Sequence, residues 1–183
     1  MAEVKKEKSG GNPMLGVRVE KVTLNIGVGE GGDKLQNAKL LLERLSGAKA
    51  VLTKAHNRAP EFKIRQGDPI GTKVTLRHAA AVEFLRNALD AVDFRILPRS
   101  IDSSGNVSFG VKEYIDFPNA KYDPKIGMLG FDVCVTLSKP GRKVALRKIR
   151  RGKLGIRQRV SAQEAKAFME SLGANLSEEE SEE

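Results

Sequence analysis

The chain of 183 residues has no tryptophan, a single cysteine, two histidines and only 5% aromatic residues. Each scarcity removes a class of function. Cys134 alone cannot close an intramolecular disulfide, and with His56 and His78 distant in sequence it forms no clustered ligand set for a metal. The same shortage leaves no nucleophile–base spacing and no nucleophile-elbow signature, so the chain reads as non-catalytic, with neither cofactor nor metal. So few aromatics argue against a stacking platform for several single-stranded bases. No apolar run approaches the roughly 20 residues that span a bilayer. The Lys/Glu-rich start, residues 1–11, lacks the apolar centre of a signal peptide. The expected setting is cytoplasmic, with no membrane partner.

The most informative absence is of acid. Residues 139–159 hold ten Lys or Arg and no Asp or Glu. The whole chain carries 32 basic and 23 acidic residues, net +9, so 22 and 23 remain outside the segment, a balance of −1. The basic excess is therefore one cationic strip on a nearly neutral body. Such a strip repels itself and is stable only in water or beside an anion. Nucleic acid fits, because neutralising phosphates releases counterions. A solvated flexible segment is the plain alternative.

A hydrophobic content of 40% beside 30% charge suits a folded domain with polar extensions. Residues 1–13 read as a disordered arm and 177–183 as an acidic disordered tail. Residues 14–137 read as an α+β domain, 138–160 as a basic insertion, and 161–176 as a terminal helix packing on the same domain. Val17, Val19, Val22, Leu24, Ile26 and Val28 alternate with polar residues except at Glu20–Lys21, which predicts a strand with a bulge. A helix follows over 33–46, with Asp33 as its N-cap and Gly47 as its stop. Residues 50–54 predict a short strand, 56–69 a long exposed loop and 72–77 a strand. A helix is predicted over 79–92 with Val82, Leu85, Leu89 and Val92 inward, and strands over 107–115 and 131–137. Ser161 and Glu164 form a capping box for the last helix, closed by Gly173. Alternating rather than continuously apolar strands predict a mainly antiparallel sheet, helices on one face, in one domain. The other face is free to bind.

Gly27, Gly29 and Gly32 satisfy G-x-G-x-x-G between a predicted strand and helix. Glu30 opposes a pyrophosphate there, and the next strand ends in Thr53 and Lys54 with no acid for a ribose. Cys134 is expected to be a small buried hydrophobe, and Asp90 and Asp93 surface charges. Arg18, Lys21, Lys54, Lys73 and Arg77 occupy or flank the outward phase of the strands, where Lys and Arg pair with phosphates. Asn25 and Thr75 share that phase and can bond ribose hydroxyls or base edges. On these residues a generic RNA or DNA chaperone also stays open, as does, more remotely, a dinucleotide-dependent oxidoreductase.

Residues 21–30 (KVTLNIGVGE) resemble the first strand and turn of large-subunit ribosomal protein five, the 5S rRNA-binding family. Four later blocks agree in order: 47–54 (GAKAVLTK), 64–77 (IRQGDPIGTKVTLR), 105–113 (GNVSFGVKE) and 128–133 (MLGFDV). The basic insertion makes the resemblance archaeal–eukaryotic in type. It departs at Ala48, where many relatives carry Gln. The resemblance implies an α+β fold and a place in the central protuberance of the large subunit. Its implied partners are 5S rRNA, 23S-type rRNA, peptidyl-site tRNA and neighbouring ribosomal proteins, one of them in the small-subunit head. Expected rRNA-binding positions are Arg18, Lys21, Asn25, Lys49, Thr53, Lys73, Thr75 and Arg77, with Arg142, Lys143, Arg147, Lys148, Arg150 and Arg151 from the strip. Lys54, His56, Asn57, Arg58, Lys63 and Arg65 are expected to face tRNA from the family's projecting loop.

Overall fold

A computed structural model describes residues 12–118 and 120–176. Five strands form the main sheet: β1 (Arg18–Gly27), β2 (Val51–Lys54), β3 (Pro69–Leu76), β5 (Asn106–Val111) and β6 (Phe131–Ser138). Their order is β2-β3-β1-β6-β5, and every neighbouring pair is antiparallel. β4 (Arg95–Ile96) and β7 (Asn175–Leu176) make a small parallel pair apart from it. The helices are α1 (Asp33–Ser46), α2 (His78–Asp90), the single turn α3 (Lys143–Leu146) and α4 (Ala162–Ser171). The expected α+β class is what the chain adopts. The acidic tail at 177–183 lies outside the described residues, as does the arm at 1–13 except Asn12 and Pro13, which open a turn closed by Leu15 N–H on Asn12 O.

β1 organises the sheet, hydrogen-bonded to β3 on one edge and β6 on the other. Val22, Leu24 and Ile26 are buried, and so is the partner set Val133, Val135 and Leu137 on β6. Val19 sits opposite Leu137, on the core side, although its parity differs from that of Val22. The register shift between Val19 and Lys21 reconciles them: Glu20 is the extra residue of the bulge anticipated in the sequence.

Helices α1 and α2 cover the core face through Leu35, Ala38, Leu41 and Leu42, and through Ala81, Phe84, Leu85, Ala88 and Leu89. Gly47 ends α1 in the left-handed region (φ 63°), its N–H reaching Glu43 O. The cap at the other end is Gly32. Asp33 stands one residue inside and makes no capping bond, contrary to expectation; its carboxylate acts only through the helix dipole. α2 is shorter than predicted. Val92 lies in the following turn, where Val92 and Phe94 N–H both reach Leu89 O, and Val82 is only half-buried.

β5 also stops earlier, at Val111. Residues Tyr114–Asp116 coil into a 3-10 turn that buries Tyr114, whose hydroxyl accepts Asp123 N–H at 2.9 Å. Phe84, Phe117 and Phe131 meet there, with ring centroids 4.8–6.5 Å apart. A buried side chain with a partnered hydroxyl outweighs continuing the ladder. The all-antiparallel sheet also disposes of the glycine pattern at 27–32. β2 is not paired with β1, so no parallel crossover presents those glycines to a dinucleotide; Val28 and Gly29 N–H instead bond Ile70 O.

The two sheet faces make unequal demands on side chains. Leu24→Ala should destabilise by about 2–5 kcal/mol, and Thr23→Ala, one residue away on the open face, by less than about 0.5 kcal/mol; urea denaturation measures both.

Candidate nucleic-acid interface

The strand registers fix which side chains share the uncovered face. Across its middle run Val51, Lys73, Asn25, Asp132 and Gly110, each opposite the next. Beside this row lies Thr75, Thr23, Cys134 and Ser108, then Lys21, Thr136 and Asn106. On the other side are Thr53, Gly71 and Gly27. Seven of these fifteen positions carry small hydroxyl or amide groups, and Lys21, Lys73 and Asp132 are the charged ones among them. Short side chains keep it shallow enough for an RNA backbone to approach, and hydroxyls and amides suit ribose and base edges. Cys134 belongs to this face and is exposed, correcting the expectation of burial: the helices cover only the opposite side. Neighbouring side chains partly desolvate its thiol, and Asp132 adds a negative charge, so it titrates above its ordinary value and is no activated nucleophile.

Lys54 leads into the loop expected to project, which is exposed but not loose. Ala59 and Ile64 exchange backbone hydrogen bonds of 3.0 and 3.1 Å, making a small hairpin whose tip is Pro60–Phe62. Its base is closed by Ala55 N–H on Asp68 O (2.8 Å), Gly67 N–H on Ala55 O (2.9 Å) and Arg65 N–H on the Asp68 carboxylate (2.8 Å). Lys54, His56, Asn57, Arg58, Lys63 and Arg65 are all exposed around it. At the tip Phe62 is 73% exposed, an aromatic held out in water between Glu61 and Lys63.

The basic strip leaves the opposite end of the sheet, after Ser138, which pairs with Arg18. It is folded back on itself. Lys139, only 4% exposed, donates to Glu164 Oε1 at 2.7 Å and to Arg157 O at 3.2 Å, joining the strip's entrance to its exit. Gln158 Nε2 donates to Pro140 O and, at 3.1 Å, to Met14 O. Gly152 N–H reaches Val144 O, and Arg147 Nε reaches Arg150 O. Arg142 is ion-paired with Glu20, the bulge residue of β1. Glu164 does double duty: its second oxygen accepts Ser161 N–H (3.0 Å) in the capping box of α4. Burial disfavours its charge, but the bonds from Lys139 and Ser161 outweigh that and hold its carboxyl below the ordinary value.

The expected positions therefore divide into groups. Asn25 and Lys73 are directly opposite each other; Lys21, Thr53 and Thr75 share their face. Arg18 and Arg77 are exposed at strand ends, and Lys49 lies exposed just before β2. Lys143, Arg147, Lys148, Arg150 and Arg151 are exposed on the strip and form no ion pair among the described residues. Arg142 differs, because Glu20 already neutralises it. The strip and the projecting hairpin do not converge: they sit at opposite ends of β1, whose ten residues span about 30 Å. Asp132 next to Asn25 was missed, although the outward phase of β6 places it there. Phe62 was missed too; the signal was a lone aromatic in a charged loop. Leu146, Ile149 and Ile156 are exposed within the strip, 63–87%, where the charge pattern gives no sign of an apolar surface.

A polar, uncovered sheet face with a cationic projection at either end defines an α+β binding protein with a surface suited to nucleic acid. Residues 12–65 match the family model of ribosomal protein L5, and residues 69–175 match the model of that ribosomal family's C-terminus. The chain is similar to large ribosomal subunit protein uL5 of Sulfolobus acidocaldarius, 48% identical over 169 residues that cover 92% of this chain and 93% of that protein. Against the uL5 proteins of Pyrobaculum aerophilum and Methanococcus aeolicus the identities are 49% and 45%, with 88% and 87% of this chain covered and 90% of each relative. The chain belongs to the ribosomal L5 family, in its archaeal form, a family of structural proteins of the large ribosomal subunit and not of enzymes.

The Lys139–Glu164 pair can be tested by removing one or both charges. Glu164→Gln leaves a buried ammonium short of its anion and should destabilise by about 1–2 kcal/mol, the charged-bond range discounted for an exposed carboxylate. Adding Lys139→Met should recover part of that loss, because no buried charge remains. Since the folded carboxyl titrates below its ordinary 4.5, its contribution is complete at neutral pH and disappears as pH falls below that value. Urea denaturation of the three proteins against pH checks the order and the sign.

Proposed function

We propose that this chain binds 5S rRNA in the central protuberance of the large ribosomal subunit of the cytoplasm, using the open sheet face as its reading surface. The row Lys73–Asn25–Asp132, flanked by Thr75 and Thr53, carries this reading. It offers a cation for phosphate, an amide and hydroxyls for ribose and base edges, and a carboxylate that accepts only from a donor. A surface that merely collects phosphates has no use for Asp132, which repels them. The acid makes the middle row selective, while Arg18, Lys21, Lys49 and Arg77 supply attraction around its margin.

The hairpin at residues 56–67 reaches the peptidyl-site tRNA, its exposed Arg58, Lys63 and Arg65 meeting phosphates and Phe62 offering a ring for a ribose or base. Its closed base makes it a stiff projection. Lys143, Arg147, Lys148, Arg150 and Arg151 anchor to 23S-type rRNA. The remaining partners are neighbouring ribosomal proteins, including one of the small-subunit head.

Asn25→Ala and Thr75→Ala should each weaken 5S rRNA binding by about 1–3 kcal/mol where the lost bond is buried, measured by filter binding at fixed salt. Unchanged affinity in both would remove the sheet face from the site. Neutralising Arg147, Lys148 and Arg150 should lower the slope of log K against log salt by about 0.7–0.9 for each phosphate no longer neutralised, with selectivity for 5S over unrelated RNA retained. A parent chain that binds all RNAs equally would identify a general RNA chaperone instead.

A further inference from the structure

We propose that the concavity between the basic strip and the adjoining ends of β5 and β6 is a binding site for one unstacked RNA nucleotide with its flanking phosphate. This deepens the RNA-binding reading above and rests on it. The cavity measures about 630 Å³, inside the range of about 300–1,000 Å³ usual for small-molecule sites.

One wall is the tight turn entering β5. Asp102 N–H bonds Asn106 O (2.8 Å), and the Asp102 carboxylate accepts from Ser103 Oγ (3.2 Å) and Asn106 Nδ2 (3.4 Å). Ser103, Ser104 and Asn106 thereby line the cavity with hydroxyl and amide groups. The facing wall is the strip, which contributes Arg151, Lys153 and Arg159. The walls meet at Gly105 and Val160. Gly105 is left-handed (φ +75°), and a Cβ there would lie 2.6 Å from Val160 Cγ1, so only glycine lets the turn seat on the strip's exit.

Electrostatics supplies the reason for an anion. Lys139 and Arg142 also line the cavity, but Glu164 and Glu20 already neutralise them. Arg151, Lys153 and Arg159 form no ion pair among the described residues, and no carboxylate lines the cavity. Backbone bonds, Gly152 N–H to Val144 O and Arg159 N–H to Ile156 O, fold the strip so that these cations ring a concavity whose low-dielectric walls concentrate their field. A solvated strip would instead spread them apart. A phosphate relieves the repulsion, and the rest of the lining suits what a phosphate carries. Leu137, Leu154 and Val160 give an apolar floor, the turn gives partners for a base edge, and a guanidinium plane can stack on a base. The bases of a duplex are stacked and paired, so the fitting unit is a nucleotide turned out of a loop or bulge.

The test uses the full chain with 5S and 23S-type rRNA carrying 4-thiouridine. Photo-crosslinks of the parent protein should map to residues 103–106 and 151–159. Ser104→Trp adds bulk at the exposed mouth without changing charge, and should weaken binding about tenfold, the effect of removing one well-placed base interaction, with the salt slope unchanged. Unaltered affinity together with no crosslink in those segments would overturn the site. If strip neutralisation still weakens binding in that case, the RNA reading survives and only the cavity fails. Should Ser104→Trp lower the melting temperature, the parent crosslinks decide alone. UMP is the second probe: if it shifts the amide resonances of residues 103–106 and RNA does not displace it, the site takes free nucleotide and the RNA assignment falls.

Discussion

One inserted residue, Glu20, sets the geometry on which the rest of the structure depends. A strand presents alternate residues to opposite faces, so Val19 and Val22 cannot both reach the core of an unbroken strand. The bulge changes phase between them, and each end of β1 then buries its apolar set against β6. The extra residue is also used. Its carboxylate neutralises Arg142, so the device that keeps the central strand in register also ties down the basic strip. An uninterrupted strand would lose both, because Glu20 would then be an ordinary ladder position.

The strip shows how a run of like charges becomes structure. Ten cations without an acid among them cannot satisfy one another, and the fold answers by drawing counter-charges from distant segments. Glu20 comes from β1 and Glu164 from α4, each taking one cation near the strip's start. Backbone carbonyls of Arg157, Pro140 and Arg150 absorb further donors. What is left is a folded surface on which the remaining cations are exposed, some of them around a concavity, beside exposed Leu146, Ile149 and Ile156. Preorganised in this way, the surface loses less entropy on meeting a phosphate than a flexible tail would.

Period and punctuation were enough to read most of the architecture. The alternation over β1, its bulge, the extent of α1 and the capping box of α4 are local signals, and each is realised where the residues indicate. The misses share a different origin. Tyr114 leaves the strand pattern because Asp123, nine residues on, gives its hydroxyl a partner. Cys134 is exposed because the helices cover one face only, a matter of layers and not of residue type. Asn25 and Thr75 were legible as outward polar positions. That Asn25 would stand between Lys73 and Asp132 depends on a strand order that pattern does not give. The same holds for the fate of Lys139, which charge counting places in solvent and long-range packing buries.

Separating the projecting hairpin from the basic strip by the length of β1 has a physical consequence. Two cationic groups about 30 Å apart exceed the Debye length of about 8 Å at physiological salt, so neither senses the other's charge. In the proposed reading each end binds its own stretch of phosphate independently, and the face between them is not swamped by a single positive field. Asp132 can persist in the middle row for that reason. Close to the strip it would be drawn into a third ion pair; at mid-sheet it forms no ion pair among the described residues and, in the proposed reading, accepts from a base or ribose donor. In that reading selectivity comes from a middle row in which Asn25 stands between one cation, Lys73, and one carboxylate, Asp132, with the strip's run of cations held at the end of the sheet.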